Sequence, residues 1–287
     1  MMAGTTSPRR PLSGAEFRLF QDLIHREAGI FLSESKKALL VGRLSRRLRE
    51  LGLTSFGDYH RYVVDGDPSE RIRMLDCVST NETHFFREPR QFAFLEERVL
   101  PDWRAAADAG VRPRRIRAWS AACSTGEEPY SLAMTLLSHF PSGAGWEIDL
   151  LASDLSTKAL DVAREGVWSG DRAAEIPDRF LKRYMLKGMR SRAGRMKAGP
   201  ELRSVVRFER INLNAEAYPV RGRFDLIFCR NVLIYFDAAS KARVTEQLVR
   251  LLEPTGYFFL GHAESVLDVS AGLQRVGPTV YARAVGR

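Results

Sequence analysis

Over the first ninety residues the apolar positions recur at helical spacing. Ser13 followed by Glu16 has the form of a capping box. Phe17, Phe20 and Ile24 then return every three or four residues until Gly29 offers a stop. A second helix is predicted from about Ser35 to Leu51, with Leu40, Leu44, Leu48 and Leu51 along its apolar side and Gly52 as its C-terminal signal. Shorter helical patterns follow around Tyr59 to Val63 and Ser69 to Val78. Residues 11–90 thus read as an all-helical domain with a linker. Residues 1–10 read as a disordered tail, polar and without the apolar stretch of a signal peptide.

From Arg114 onward the pattern changes to short strand-like runs separated by helices, as in a parallel sheet with crossover connections. The predicted strands are Ile116 to Ser120, Glu147 to Ala152, Val205 to Glu209, Phe224 to Cys229, Tyr257 to Gly261 and Val280 to Ala284. Helices are predicted at about Glu127 to Phe140, Thr157 to Glu165 and Ser240 to Leu252, the last stopped by Pro254 and Gly256. Residues 91–287 therefore form a doubly wound α/β domain. The basic, glycine-punctuated stretch Tyr184 to Pro200 fits neither a crossover helix nor a core strand, and it reads as a small antiparallel β insertion at about 180–211.

Composition narrows the class without choosing a function. The longest apolar runs, such as Val232 to Phe236, are far shorter than the roughly 18 residues of a membrane span, so a cytoplasmic protein without membrane insertion is expected. Cys77, Cys123 and Cys229 have neither the even count of a disulfide framework nor the spacing of a zinc site, so free thiols and no metal are expected. The 44 basic residues exceed the 35 acidic ones by 9, which favours an anionic partner of some kind.

Ligands of open parallel sheets sit beyond the carboxyl ends of the strands, where this chain carries a set of polar residues. After the first strand comes the small-residue turn Ser120-Ala121-Ala122-Cys123-Ser124-Thr125-Gly126, then Glu127, Glu128 and Pro129. With Gly126 alone in place of G-x-G-x-x-G, a pyrophosphate cradle is not indicated. Two glutamates at the helix start would repel phosphate and favour a cationic amino or sulfonium group; each alone is equally explained by the helix dipole. Asp154 after the second strand can accept hydrogen bonds from ribose hydroxyls or cap the next helix. Asn212 after the third strand could read an adenine edge, and Arg230-Asn231 closes the fourth. Asn81 to Arg87, around Phe85-Phe86, reads either as a polar-rimmed lid for a cleft or as an interdomain plug.

The chain resembles the chemotaxis receptor methyltransferases, which methylate receptor glutamates. The resemblance rests on Ser79-Thr80-Asn81-Glu82-Thr83-His84-Phe85-Phe86-Arg87-Glu88, on Ser120 to Ser131, on Ala152-Ser153-Asp154, on Phe224 to Asp237 and on Gly261-His262-Ala263-Glu264-Ser265. It implies a Rossmann-like S-adenosylmethionine-dependent methyltransferase domain with a small antiparallel β insertion, preceded by an all-helical N-terminal domain. It also implies a glutamate methyl ester as product. Carried over position by position, the cofactor contacts fall on Asn81, Thr83, Arg87, Glu127 or Glu128, Asp154, Asn212, Leu213, Arg230 and Asn231.

An ionised glutamate is already a nucleophile at neutral pH, so methyl transfer needs alignment and no general base. Arg87 is expected to guide the incoming carboxylate and Tyr235 to hydrogen-bond near the methyl group. The resemblance implies an acidic helical region of the receptor as substrate. Lys36, Arg43 and Arg47, with Arg46 beside them, form a basic helix stripe that would match it. It further implies, for tethering members, a tail peptide held at the small sheet, where Gly188 and Gly194 bracket a turn and Arg195 and Lys197 are basic. A monomer is expected. The pI of 9.7 keeps a nucleic-acid methyltransferase as the alternative. Against it, Arg230-Asn231-Val232-Leu233 stands where an aromatic-flanked base pocket would be, so a nucleic-acid partner is not expected.

Overall fold

The computed structural model describes residues 11–265 and 272–284; the tail expected at 1–10 lies outside them. The helical domain comprises α1 (Gly14–Ala28), α2 (Lys37–Glu50), α3 (Phe56–Asp65) and α4 (Pro68–Val78). Ser13 caps α1 through the expected box with Glu16, and Gly29 ends it in the left-handed conformation at φ 70°. Phe17, Phe20, Leu44, Leu48, Tyr59, Val63 and Met74 are fully buried and join the four helices in one apolar core. Two short helices, α5 (Pro89–Phe94) and α6 (Leu100–Asp108), fill a stretch for which the pattern predicted nothing, and a π-turn over Leu95–Val99 joins them.

The α/β domain follows with β1 (Arg115–Ala121), α7 (Glu127–His139), β2 (Glu147–Asp154) and α8 (Thr157–Glu165). Next come β3 (Val167–Ser169), α9 (Asp178–Tyr184), β4 (Met185–Lys187), β5 (Arg195–Ala198), α10 (Pro200–Val205) and β6 (Val206–Arg210). The chain closes with β7 (Phe224–Cys229), α11 (Ala238–Arg250), β8 (Leu252–Leu260), β9 (Leu273–Gly277) and β10 (Val280–Arg283). Among the described residues the main sheet has seven strands in the order β6-β2-β1-β7-β8-β10-β9. The first five are parallel, and β10 runs antiparallel to both β8 and β9. The order reverses direction between β1 and β7, which opens a crevice at their carboxyl ends. Inward side chains alternate between two layers. Ile116 and Ala118 meet Leu132, Leu136 and Leu160 on one face, while Trp119 and Ala121 meet Val244 and Leu248 on the other.

Two boundaries differ from the sequence reading. The antiparallel insertion, expected at about 180–211, has its first strand at Val167–Ser169, and its order is β3-β5-β4; Val206–Arg210 belongs to the main sheet. Pro254 and Gly256 lie inside β8 instead of stopping α11. They occupy the irregular stretch where the pairing with β7 shifts between Phe224 and Leu226, a place where a missing ladder N–H is tolerated.

The helical domain docks on the α/β domain through capping chemistry. Asp76 of α4 accepts from the Thr157 amide at 2.7 Å and from its hydroxyl at 2.6 Å, so one domain caps a helix of the other.

Candidate functional site

A cleft of about 350 Å³ opens at the carboxyl ends of β1, β2, β6 and β7, walled on its other side by α1, α2 and the linker 78–87. After β1 the backbone takes three left-handed residues within five: Ala122 at φ 75°, Ser124 at φ 50° and Gly126 at φ 100°. That tight path is fixed by β2, whose Ser153 carbonyl accepts from the Ala122 and Cys123 amides at 2.8 Å each. At Gly126 a Cβ would stand 2.9 Å from that of Ala163, so glycine is required for the loop to lie against α8.

Asp154 ties the first two strand ends together. One carboxylate oxygen accepts from the Ser124 amide and the other from the Ser156 amide, both at 2.8 Å. It lines the cleft while nearly buried, and that burial raises its pKa from the ordinary value. Each oxygen retains further acceptor capacity, so its capping and ligand-accepting readings are compatible.

The adjacent glutamates separate. Glu128 lines the cleft, accepting from the Ser120 hydroxyl at 2.7 Å and from Arg230 Nε at 2.7 Å. Glu127 faces away, toward Thr125 at 2.6 Å and Arg172 at 3.1 Å, and burial raises its pKa. Glu127 thus points away from the cleft that Glu128 lines, because successive residues at a helix start point about 100° apart.

Arg230 is buried and lies over the rings of Phe92 and Phe228. Besides Glu128 it donates to the Arg87 carbonyl at 2.7 Å and the Gln91 side chain at 2.9 Å. Its guanidinium therefore organises the cleft floor. Asn231 follows in the left-handed conformation at φ 57°, its amide held by Glu264 at 2.8 Å. Glu264 also accepts from the amides of Gly261, Leu233 and Ile234, at 2.7, 2.7 and 3.3 Å, and so shapes the whole turn that carries Tyr235.

The amide of Asn212 has a second task. Its Nδ2 donates to the Glu27 carbonyl of α1 at 2.6 Å and its Oδ1 accepts from the Asn214 amide at 3.0 Å. It lines the cleft beside Leu213 and also fastens the third strand end to the helical domain, with one Nδ2 hydrogen still uncommitted.

Asn81, Thr83 and Arg87 line the opposite wall. Phe85 packs edge-on against Trp168 at 5.1 Å and Phe86 stacks on Phe180 at 5.2 Å, so the segment is at once a plug and a polar rim. Arg87 is half-buried, donates to the Glu82 carbonyl at 3.3 Å and pairs with no carboxylate among the described residues. Tyr235 completes the lining, and its carbonyl accepts from the Phe31 amide at 2.7 Å, which joins the fourth strand end to the helical domain.

The basic stripe of α2 divides. Lys36, exposed, and Arg43 reach the cleft, and Arg43 donates to the Val78 carbonyl and, at 2.7 Å, to Thr80. Arg47 instead forks onto the buried Glu70 at 2.8 and 2.5 Å, beneath the Tyr59 hydroxyl at 3.0 Å, and that carboxylate holds its pKa well above the usual value. Arg47 is thus a strut of the helical core and unavailable to a substrate. Arg46 is exposed beside Glu50 at 2.9 Å. Gly188, Gly194, Arg195 and Lys197 lie on the small sheet, apart from the cleft. Gly188 donates to the Arg195 carbonyl at 2.8 Å, and a Cβ there would fall 2.0 Å from the Arg192 carbonyl. The hairpin itself therefore demands that glycine. Cys123, in the turn after β1, and Cys229, at the end of β7, are both buried, and that burial pushes both thiols up.

Gln91 and Arg172 were not singled out from sequence and have no signal there, since their partners are far away in the chain; Glu264 stood in the Gly261-to-Ser265 motif of the resemblance without an assigned role.

The site suits a nucleoside bearing a cationic group better than a dinucleotide. It has no glycine cradle for pyrophosphate, two buried carboxylates line it, and the buried Ser124 hydroxyl, also in its lining, has no protein partner. Comparison with known proteins agrees. Residues 15–79 match the family description "CheR methyltransferase, all-alpha domain", and residues 81–282 match "CheR methyltransferase, SAM binding domain". The chain is 41% identical to chemotaxis protein methyltransferase 2 of Pseudomonas aeruginosa, over 94% of this chain and 93% of that one. It is 39% identical to the chemotaxis protein methyltransferase of Escherichia coli, over 96% and 92%, and 34% identical to that of Borreliella burgdorferi, over 90% of each.

Proposed function

This chain belongs to the CheR methyltransferase family, and from that membership we propose that it methylates glutamate carboxylates of chemotaxis receptors with S-adenosylmethionine. The observation that carries the reading is the convergence on one cleft of Asn81, Thr83, Arg87, Glu128, Asp154, Leu213, Asn231 and Tyr235. Asp154 offers charged acceptors to ribose hydroxyls, and the Glu128 end of the cleft favours an ammonium. Arg230 and Glu264 hold these groups in place, and the unpartnered Ser124 hydroxyl gives the cofactor a further polar contact.

The cofactor, when bound, supplies a methyl group on an electrophilic sulfonium sulfur. The protein has to bring a carboxylate oxygen into line and exclude water, and alignment of this kind is worth roughly 7 to 11 kcal/mol. Arg87 suits the first task, because its guanidinium spends one contact on the Glu82 carbonyl and can grip one carboxylate oxygen while the other attacks. Too close a pair would quench the nucleophile, so an oblique contact is required. Tyr235 lines the same cleft, where its hydroxyl could hydrogen-bond near the methyl group. Lys36 and Arg43 at the mouth favour an acidic helical region of the receptor, and Arg195 and Lys197, on the exposed side of the small sheet, favour an acidic tail peptide. A cytoplasmic, monomeric enzyme is consistent with this reading; no helix among the described residues is long and apolar enough to cross a membrane.

Nothing in the comparisons favours nucleic acid, and the arginine at the cleft floor, Arg230, faces Glu128 of the protein itself. Transfer of labelled methyl to receptor, released as methanol by mild alkali, is the expected result. Alkali-stable label on nucleic acid, or no transfer, would reject the reading.

A further inference from the structure

We infer that Arg172, in the inserted subdomain, is a positioning residue for the cofactor, acting through the main chain of the segment 81–87. This rests on the methyltransferase reading of the cleft and adds a residue that touches neither the cleft nor the substrate surface.

The segment that supplies Asn81, Thr83 and Arg87 has no regular secondary structure of its own, so its backbone groups must find partners elsewhere. Three of them are met by side chains. Arg172 Nη2 donates to the Thr83 carbonyl at 2.6 Å. Glu175, one 3-10 turn later, accepts from the Phe85 amide at 2.9 Å. The Phe86 amide donates to Ser131 of α7 at 3.0 Å. Arg172 connects the first two anchors to the strand-end machinery, because its guanidinium also lies 3.1 Å from the buried Glu127 and 2.8 Å from Glu175. The Phe85 and Phe86 rings meanwhile rest on Trp168 of β3 and Phe180 of α9. The 3-10 turn that carries Arg172, Gly170–Glu175, is itself tied to the hairpin by the Gly170 amide donating to the Gly194 carbonyl at 2.7 Å.

The two ends of the segment are therefore held by different arginines. Arg172 fixes the Thr83 end, while Arg230 fixes the Arg87 end by donating to its carbonyl at 2.7 Å. That division predicts a kinetic split. Loosening the Thr83 end should weaken cofactor binding while leaving the guide for the methyl acceptor in place. Glu127 acquires a role in the same account: although it turns away from the cleft, it orients Arg172.

The test is calorimetric titration of S-adenosylhomocysteine into the purified full chain, together with steady-state kinetics on receptor. Arg172→Ala is expected to raise the S-adenosylhomocysteine Kd and the KM for S-adenosylmethionine by roughly tenfold or more, the scale of a lost charge-assisted hydrogen bond. At saturating cofactor kcat should stay within about threefold of wild type. Arg172→Lys, which keeps the charge but loses the fork, should recover part of the affinity. Should Arg172→Ala fail to fold, Arg172→Lys and Glu175→Gln decide the matter with the same readouts. Wild-type affinity in the folded variants overturns the inference, and so does a fall in kcat as large as the rise in KM. A wild-type protein that binds S-adenosylhomocysteine yet methylates no receptor would reject the proposed function alone, because the affinity arm is read without turnover.

Discussion

Arg230 serves Glu128, the Arg87 carbonyl and Gln91 from within the protein, so its removal strands a buried carboxylate. Arg230→Ala should lower stability by about 3 to 5 kcal/mol in urea unfolding, with Arg230→Lys between it and wild type. A loss confined to activity would mean that Glu128 is better solvated than its burial indicates. Proton binding gives a second expectation at this scale. Burial raises the carboxyls of Asp154, Glu127 and Glu264 above the ordinary range. A group with a raised folded pKa contributes stability below its unfolded value and loses that contribution as pH rises through the folded one. Acidifying to just above the ordinary carboxylate range should therefore neutralise Asp154 and weaken S-adenosylhomocysteine binding without lowering Tm. Asp149, which Arg207 and Arg117 hold low despite its burial, is lost only in stronger acid. Calorimetric affinity and melting curves over the same pH series check this, and a Tm that falls in step with affinity would contradict it. Asp154, Arg230 and Asn231 were legible in the sequence because strand ends are where such folds place ligands. The second task of Asn212, its bond to the Glu27 carbonyl, was not legible because that partner lies 185 residues away.

The caps of α1 and the apolar stripes of α1 and α2 could be read directly, since both depend on neighbours within a turn or two. What a helix's polar face does depends on what stands opposite it, and there the stripe of α2 was misjudged at Arg47. Arg47→Ala should cost about 3 kcal/mol or more of stability in urea unfolding by baring Glu70. Lys36→Glu should leave stability alone and lower kcat/KM for receptor, most at low salt. The reverse pattern would return Arg47 to the substrate surface. The strand β9 was missed because Leu273–Gly277 buries none of its residues fully and carries no continuous apolar run. In the small sheet the clash at Gly188 makes Gly188→Val a test of hairpin integrity more than of binding. Arg195→Glu with Lys197→Glu, both exposed, should weaken a receptor tail peptide by roughly tenfold in a fluorescence titration and leave Tm unchanged. Unaltered binding by that double variant would remove the basic hairpin from tail recognition.

At the scale of the molecule, both domains wall the cleft, and the bonds Asn212 to Glu27 and Phe31 to Tyr235 bind one to the other beside it. A ligand seated there should stabilise the chain as one unit. S-adenosylhomocysteine at a hundred times its Kd should add about 2.7 kcal/mol and raise Tm by about 5 °C in a single transition. Two transitions, only one of them moving, would show that the helical domain melts independently. The sealed sulfurs of the first and fourth strand ends bear on a different matter. Attack by peroxide needs an accessible thiolate, and Cys123 and Cys229 have neither the exposure nor the ionisation. Cys77, half-buried in the helical domain, is likewise held in its protonated form by burial. Oxidant released in or around the cell would thus find poor targets in these three thiols, and a loss of methyl-ester writing under peroxide would point instead to methionines such as the exposed Met189.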